Sequence, residues 1–481
     1  MPIESPELNL AALQSIIIII GTGLIALIVD LFVDDKRIVG WMSLAGVIIA
    51  GLTGISQQGN PDFDPVFQTM AITDPYAHFF NLIILFTAGL SILVAMGYLN
   101  RVGLDKGEYY VLLLFAASGM MIMAAATDLM IIFLGLEIMS IALYIMSAIN
   151  RDRRTSGEAG VKYFMMGAYA SAFFLYGAAL AYGASGSTNL NEIGAALSTG
   201  KDPIALVGLA LLIIGFAFKV AAFPFHWWTP DVYYGAPVSV TTFMSVGAKA
   251  AGFAALVRVL LVSFGTGYAI DWQIAIAILA VLTMTLGNLA ALGQKDVKRM
   301  LAYSSIAHAG YVLVGVVGSP ADSGGSALFY LMVYAFMNIG AFAVLGVLER
   351  KDSISSHIKD FAGLAQRNPW LAAAMGIFML SLLGFPPLAG FWGKMYVFRA
   401  AAQADFTWLA VVGMINSAIG AFYYLNVIIQ MYFHKSEFEE PPAINLTGVT
   451  QVALGISVIA TIIIGIWPSI VADLSAVDFF G

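Results

Sequence analysis

Glu137 sits in "FLGLEIMSIAL", and of the 29 acidic residues it alone is placed deep in an apolar segment. Four lysines share that setting: Lys162, Lys219 in "FAFKVAAFPF", Lys249 in "SVGAKAAGFAALV" and Lys394 in "GFPPLAGFWGK". Two histidines join them, His226 in "AAFPFHWWTP" and His308 in "YSSIAHAGYVLVG". A charge at the centre of a membrane helix costs on the order of 3 kcal/mol on insertion scales, and a solitary buried carboxylate tends to protonate. An opposite charge within about 4–6 Å favours both ionised forms, so the lysines are candidate partners for Glu137. Histidine titrates near neutral pH and relays protons. One carboxylate, several ammonium groups and two imidazoles, spread over several segments, compose a proton relay rather than a single binding site. A buried lysine releases its proton when its acidic partner is neutralised or moves, and alternation between the two forms passes protons sideways.

Each residue also has a plainer reading. Lys219 could snorkel toward the interface, and Lys394 could be an interfacial lysine. Lys249, mid-segment among alanine and glycine, has a harder way out. Lys162 follows Glu158 by four residues, the spacing of a helical ion pair. Either histidine could simply hydrogen-bond a neighbouring helix. Asp128, after Thr127, reads as a helix N-cap, and Asp231, after Pro230, as the start of a short half-helix.

The elements that hold these residues follow from composition. The chain has 481 residues, 60% hydrophobic and 11% charged, with a mean hydropathy of +0.88. A soluble domain is nearer a quarter charged, so this is a polytopic membrane protein. Its apolar runs are about 20 residues long and do not alternate, which selects a helix bundle over a closed barrel. There is no cysteine, which excludes cysteine-ligated iron–sulfur clusters, thiol redox chemistry and disulfides. The stretch "MPIESPELN" before the first run is acidic, the reverse of a signal-peptide n-region. "GTGLIA" at Gly21 lies inside an apolar run and is rejected as a nucleotide loop.

Fourteen segments are expected, beginning near Leu10, Ile38, Tyr76, Tyr109, Asp128, Glu158, Pro203, Pro237, Trp272, Lys298, Gly325, Pro369, Phe406 and Leu446. With the N-terminus outside and the loops alternating, 15 of the 22 basic residues fall in inside loops and 3 in outside loops. The other four are the lysines within segments. A wrong count would blur this positive-inside split. Fourteen spans with both termini outside are therefore predicted.

Two segments are too long for one crossing. Residues 203–234 and 369–402 run to about 32 and 34 residues, where roughly 20 suffice. Each is interrupted by proline, in "AAFPFHWWTP" and "LLGFPPLAGFWGK", which removes an N–H and breaks a helix. Paired interruptions point to a transport site between inverted repeats of about five helices; two unrelated proline kinks are the alternative.

Several motifs carry a resemblance: "LGLEIMSIALYIMSA", "EAGVKYFMMGAYASAFFLYG", "FAFKVAAFPFHWWTPDVYYGAPVSVTTFMSVGAKAAGF", "KRMLAYSSIAHAGYVL" and "LLGFPPLAGFWGKMYVF". Over about residues 10–470 the chain resembles the antiporter-like membrane subunits of respiratory complex I, the proton-translocating NADH:quinone oxidoreductase. The resemblance implies an all-α polytopic fold of about 14 transmembrane helices, with two inverted five-helix repeats and broken helices 7 and 12. The whole chain is then one membrane domain: three N-terminal helices in 1–106, repeats in 107–270 and 271–436, and a C-terminal helix in 437–481. It implies that Glu137 pairs with Lys219, that Lys249 is the central lysine, that His308 lies between two half-channels, and that Lys394 is the lysine of helix 12. Lys162 and His226 match recurrent polar positions of less defined role.

The implied function is proton translocation driven by quinone reduction elsewhere in the complex. Protons enter from the inside near Glu137 and Lys219, pass Lys249 and His308, and leave outside near Lys394. No cofactor is expected in this chain; FMN, iron–sulfur clusters and quinone are expected in partner subunits. Expected partners are the other antiporter-like and small membrane subunits and membrane lipid, not nucleic acid. The expected location is the bacterial inner membrane. A subunit of a multi-subunit sodium/proton antiporter is the rival reading, although one deep carboxylate is a poor oxygen supply for sodium. A non-conducting scaffold is a second rival, and it expects Glu137, Lys219 and Lys249 to tolerate substitution.

Overall fold

The computed structural model describes residues 10–57, 69–198, 200–265, 267–322, 324–349, 356–435, 444 and 446–475. Among the described residues twelve helices are long and apolar enough to cross a membrane, and two shorter apolar helices, Gln14–Asp30 and Pro369–Leu383, bring the spans to the fourteen expected. Spans 1 to 6 are Gln14–Asp30, Arg37–Gln57, Pro75–Val102, Glu108–Ala125, Leu129–Ser147 and Arg154–Ser185. Span 7 is split into 7a, Pro203–Val220, and 7b, Trp228–Gly235. Span 8 is Val238–Met244 followed by Gly247–Arg258, with a π-turn over Val259–Ser263. Spans 9 to 11 are Ala269–Leu292, Val297–Asp322 and Gly325–Leu348. Span 12 is split into 12a, Pro369–Leu383, and 12b, Ala389–Gln403; spans 13 and 14 are Thr407–Phe433 and Gly448–Ile466.

Loop contacts support the count. Ala71 bridges Ala126, and Asp128 bridges Asn189; Ser263 donates to the Leu190 carbonyl at 3.0 Å. All of these follow even-numbered spans. Asp296 bridges His357, Arg153 pairs with Glu349 at 3.0 Å, and Lys298 reaches the Ala236 carbonyl at 2.6 Å. These belong to the opposite side. One missing or extra span between spans 3 and 11 would have mixed the two sets, and with fourteen crossings the start of span 1 and the end of span 14 lie on one side.

Spans 4–8 and 9–13 run in the same order, and because five is odd the second set is inverted relative to the first. Both broken spans use one set of local devices. Asp202 caps 7a by accepting from the Ile204 N–H, and Pro203 occupies the first turn. Asn368 caps 12a by accepting from the Leu371 N–H, with Pro369 in the same place. A side-chain oxygen before the helix and proline just inside it satisfy or remove orphan N–H groups. At the other end each half-helix stops on a left-handed residue, Ala221 at φ 61° and Gly384 at φ 91°. That conformation closes the last turn, and the prolines that follow prevent helix from resuming. Each break contains a cis peptide, at Phe223–Pro224 and Pro386–Pro387.

Spans 3, 8, 10 and 11 are almost wholly buried and form the centre of the bundle. Without a hydrophobic force between helices in lipid, close backbone approach holds such spans together. Spans 4 and 5 show it directly: a Cβ on Gly119 would meet the Gly135 carbonyl at 2.6 Å. On one side of the membrane, buried Arg258 at the end of span 8 makes two bonds to Asp74, the cap of span 3, at 2.7 and 2.8 Å.

The structure departs from expectation in span 8. Lys249 does not sit in the middle of an unbroken helix; the helix is interrupted at Ser245–Val246, just before the turn that carries it. No proline marks this break, which is why the sequence pattern passed over it.

Candidate proton path

Lys219 is the penultimate residue of 7a and only 3% exposed. Its ammonium donates to Ser140 Oγ at 2.7 Å and lies 3.5 Å from the Tyr144 hydroxyl. Both acceptors are on span 5, as is Glu137, but the carboxylate is not within ion-pair distance of Lys219. Glu137 Oε1 instead accepts from Ser171 Oγ of span 6 at 2.5 Å. The expected Glu137–Lys219 ion pair is thus replaced by Ser140, one helical turn from Glu137, as partner of the ammonium. Glu137 is also only half-buried. It neighbours an apolar face of span 5 on which Leu134, Ile138 and Ile141 are exposed, so its depth along the helix did not make it a core residue.

Lys249, 2% exposed, donates to the Ser305 carbonyl at 2.5 Å and to Ser305 Oγ at 2.6 Å. The next residue back on span 10, Ser304, shares a 2.5 Å hydrogen bond with the Tyr424 hydroxyl of span 13. That hydroxyl is 3.0 Å from His308 Nε2, and His308 Nδ1 is 2.8 Å from the Tyr330 hydroxyl of span 11. In a neutral imidazole one nitrogen donates and the other accepts, and a tyrosine hydroxyl can do either, so either tautomer of the ring fits between the two hydroxyls. A side branch runs from Tyr423 to Asn288 Oδ1 at 2.9 Å and from Asn288 Nδ2 to the Tyr311 hydroxyl at 3.1 Å. Lys394 stands over the Tyr311 ring, 4.9 Å from its centre.

Lys394, 6% exposed, belongs to 12b but reaches back across the break. It donates to the Leu382 and Leu383 carbonyls at 3.1 and 2.7 Å and to Ser417 Oγ at 2.7 Å. Those carbonyls end 12a, where orphan acceptors and the negative end of the helix dipole favour a cation. Gly384 makes room for it: a Cβ there would lie 3.0 Å from Lys394 Cδ, at a φ that side chains avoid.

Two expected members stand apart. Lys162 is not in the buried line. Its side chain is 41% exposed and pairs with Glu158 at 2.6 Å and with Asp231 at 2.9 Å. Arg299 reaches the same Asp231 at 3.1 Å. Asp231 lies in the first turn of 7b as expected, but it also ties 7b to spans 6 and 10. Exposed pairs of this kind contribute under about 1 kcal/mol each. Replacing Lys162 with alanine should leave quinone-linked proton pumping within about twofold of the parent, because Arg299 keeps its bond to Asp231. His226 is buried in the first break, with its ring stacked on Trp227, and no described hydrogen bond joins it to the line of lysines.

The tyrosines and serines are what sequence reasoning missed. Each looks ordinary in isolation. Only "YSSIAHAGY", which sets Ser304, Ser305, His308 and Tyr311 within two helical turns, held a signal that could have been read.

This arrangement matches known proteins along nearly its full length. Residues 126–420 match the family model described as NADH:quinone oxidoreductase/Mrp antiporter, TM. NADH-quinone oxidoreductase subunit N of Trichlorobacter lovleyi is 47% identical over 473 residues, covering 97% of this chain and 96% of the relative. The chain belongs to the subunit N family of NADH-quinone oxidoreductase. Respiratory complex I from Thermus thermophilus contains a chain that superposes with the subunit N fold seen here at a TM-score of 0.82 and 34% identity, over 96% of this chain and 99% of that one. A chain of the Mrp complex from a Dietzia species superposes at 0.85 but with 18% identity, covering 98% and 97%, a likeness of fold alone. This chain and that one thus share an architecture.

Proposed function

We propose that this chain is the proton-translocating membrane subunit of NADH:quinone oxidoreductase. We further propose that protons move along Lys219, Lys249, His308 and Lys394, with Glu137 as the carboxylate of the uptake side. The observation that carries this reading is the buried line from Lys249 through Ser305, Ser304, Tyr424 and His308 to Tyr330. Every heavy-atom contact in it is at hydrogen-bond length, apart from the one-residue backbone step between the serines. Hydroxyl and imidazole groups can both give and take a proton, which an ion-binding cage does not require. Redox chemistry and its FMN, iron–sulfur and quinone cofactors belong to partner subunits. The proposed location is the bacterial inner membrane, and the distribution of basic residues supports an orientation with both termini periplasmic. The repeats are taken as 107–270 and 271–436, flanked by 1–106 and 437–481.

The sodium/proton antiporter reading is weaker. Among the described residues no group of three His, Asp or Glu side chains gathers as a cation site, and the deep charges are ammonium groups. The test compares Lys219→Ala and Glu137→Ala membranes for assembled complex and quinone-linked proton pumping. Both are expected to assemble and to pump poorly. Normal pumping by assembled complex would remove the relay and leave a scaffold.

A further inference from the structure

The two broken spans each carry a tryptophan shortly after the break, and the two indoles bond differently. Trp228 Nε1 donates to the Phe218 carbonyl at 3.2 Å, so the first break is closed by its own span. Trp392 Nε1 donates to the Gly465 carbonyl at 2.8 Å, and Gly465 belongs to the last turn of span 14. That carbonyl is one of the orphan acceptors at a helix end. The contact is also one of backbone on backbone. A Cβ built on Gly465 would lie 2.1 Å from the Pro387 carbonyl oxygen and 2.7 Å from Leu388 Cα, a separation that side chains do not tolerate. Pro387 and Leu388 are the residues that lead into 12b, and Leu388 caps it.

Lys394 is the sixth residue of 12b, while the carbonyls it binds end 12a. The distance between ammonium and carbonyls is therefore set by how the break holds the two halves. Within the first break the Phe223 N–H donates to Thr283 Oγ1 of span 9 at 2.9 Å, and at the second the Gly390 N–H donates to Ser381 Oγ of 12a at 3.1 Å. The second break also rests on span 14, which lies outside both repeats. We propose that the last turn of span 14 is a clamp on the second break, and that Gly465 and Trp392 are positioning residues that set Lys394 against the end of 12a. This rests on the reading of Lys394 as a relay residue. It makes the two breaks unlike in what their tryptophans hold: the first indole bonds its own span, and the second bonds span 14.

The test uses membranes carrying the assembled complex with Gly465→Ala, Trp392→Phe, Gly455→Ala or Lys394→Ala. Gly455 lies on the same helix, but a Cβ there meets nothing within 4 Å, so its substitution controls for helix composition. Gly465→Ala is expected to slow quinone-linked pumping on the order of tenfold, since small misplacements of reacting groups are costly. It is also expected to move the pH of half-maximal pumping by about half a unit or more, because that profile reports the groups that exchange protons. Trp392→Phe keeps an aromatic side chain but deletes the N–H together with the five-membered ring of the indole; it should act in the same direction, by about two- to fivefold. If Gly465→Ala does not assemble, Trp392→Phe decides. Parent-like rate and pH profile in Gly465→Ala and Trp392→Phe, with Lys394→Ala impaired, would overturn the clamp alone. Normal pumping in Lys394→Ala would overturn the relay role of Lys394, and the clamp with it.

Discussion

Replacing Lys249 with alanine should stop proton transfer through this chain. The ammonium is the only charged group at the head of the buried line, and it is bound by the Ser305 carbonyl and hydroxyl rather than by a carboxylate. Removing it deletes the proton carrier between Lys219 and His308, and general acid–base groups typically contribute 10²–10⁴-fold. A loss of pumping rate on the order of 10²-fold or more is expected in assembled complex. Lys249→Arg sharpens the point. Arginine keeps the positive charge but does not release its proton in proteins. A site that needs only charge would tolerate arginine, whereas a site that exchanges protons would not. Pumping rate at matched quinone reduction separates the two, and both variants are expected to fail.

The second large effect concerns stability. Arg258 is 2% exposed, grips Asp74 through two nitrogens and donates to the Ala124 carbonyl at 3.1 Å. Asp74 in turn caps span 3 by accepting from the Ala77 N–H at 2.8 Å. Breaking a buried pair from one side costs about 3–5 kcal/mol, because the remaining charge is left without a partner. Arg258→Ala should therefore lower the amount of chain assembled into the membrane complex and its resistance to heating in mild detergent. Adding Asp74→Asn should recover part of the loss, since the amide oxygen still caps span 3 and no bare charge remains. Equal stability of Arg258→Ala and parent would show that the pair holds nothing.

The fold was legible because its signals are long and cheap to read. Apolar runs of membrane length, the sidedness of the basic residues and prolines inside two overlong segments lead to fourteen spans and both breaks. The interruption of span 8 was not legible, because Ser245 and Val246 carry no breaker. The site was legible only as charges. Lys219, Lys249, His308 and Lys394 stand out because a charge or imidazole at membrane depth is costly. Tyr424, Tyr330, Ser304 and Ser305 are inexpensive there and leave no mark. Glu137 and Lys162 show the opposite limit. Depth along a helix says nothing about which face a side chain takes, and the structure turns both toward the periphery of the chain. Lys162 was foreshadowed by its spacing from Glu158, and that plainer reading is the one its geometry favours.

The difference between the two breaks in their tryptophan contacts has the same origin. The prolines in two overlong segments made them look like two copies of one device, and in the structure N-cap, leading proline, left-handed stop and trailing tryptophan do recur. Hydrogen-bond partners distinguish them. One tryptophan turns inward to Phe218 and the other outward to span 14, and no local pattern encodes that choice.

The central claim is that protons cross the membrane through this chain along the buried line headed by Lys249. The most direct measurement is the number of protons released per electron pair by purified complex in sealed vesicles, with Lys249→Arg compared with the parent at equal rates of quinone reduction. A lower ratio in Lys249→Arg is the predicted result. An unchanged ratio, with the variant chain present in the complex, would contradict the account.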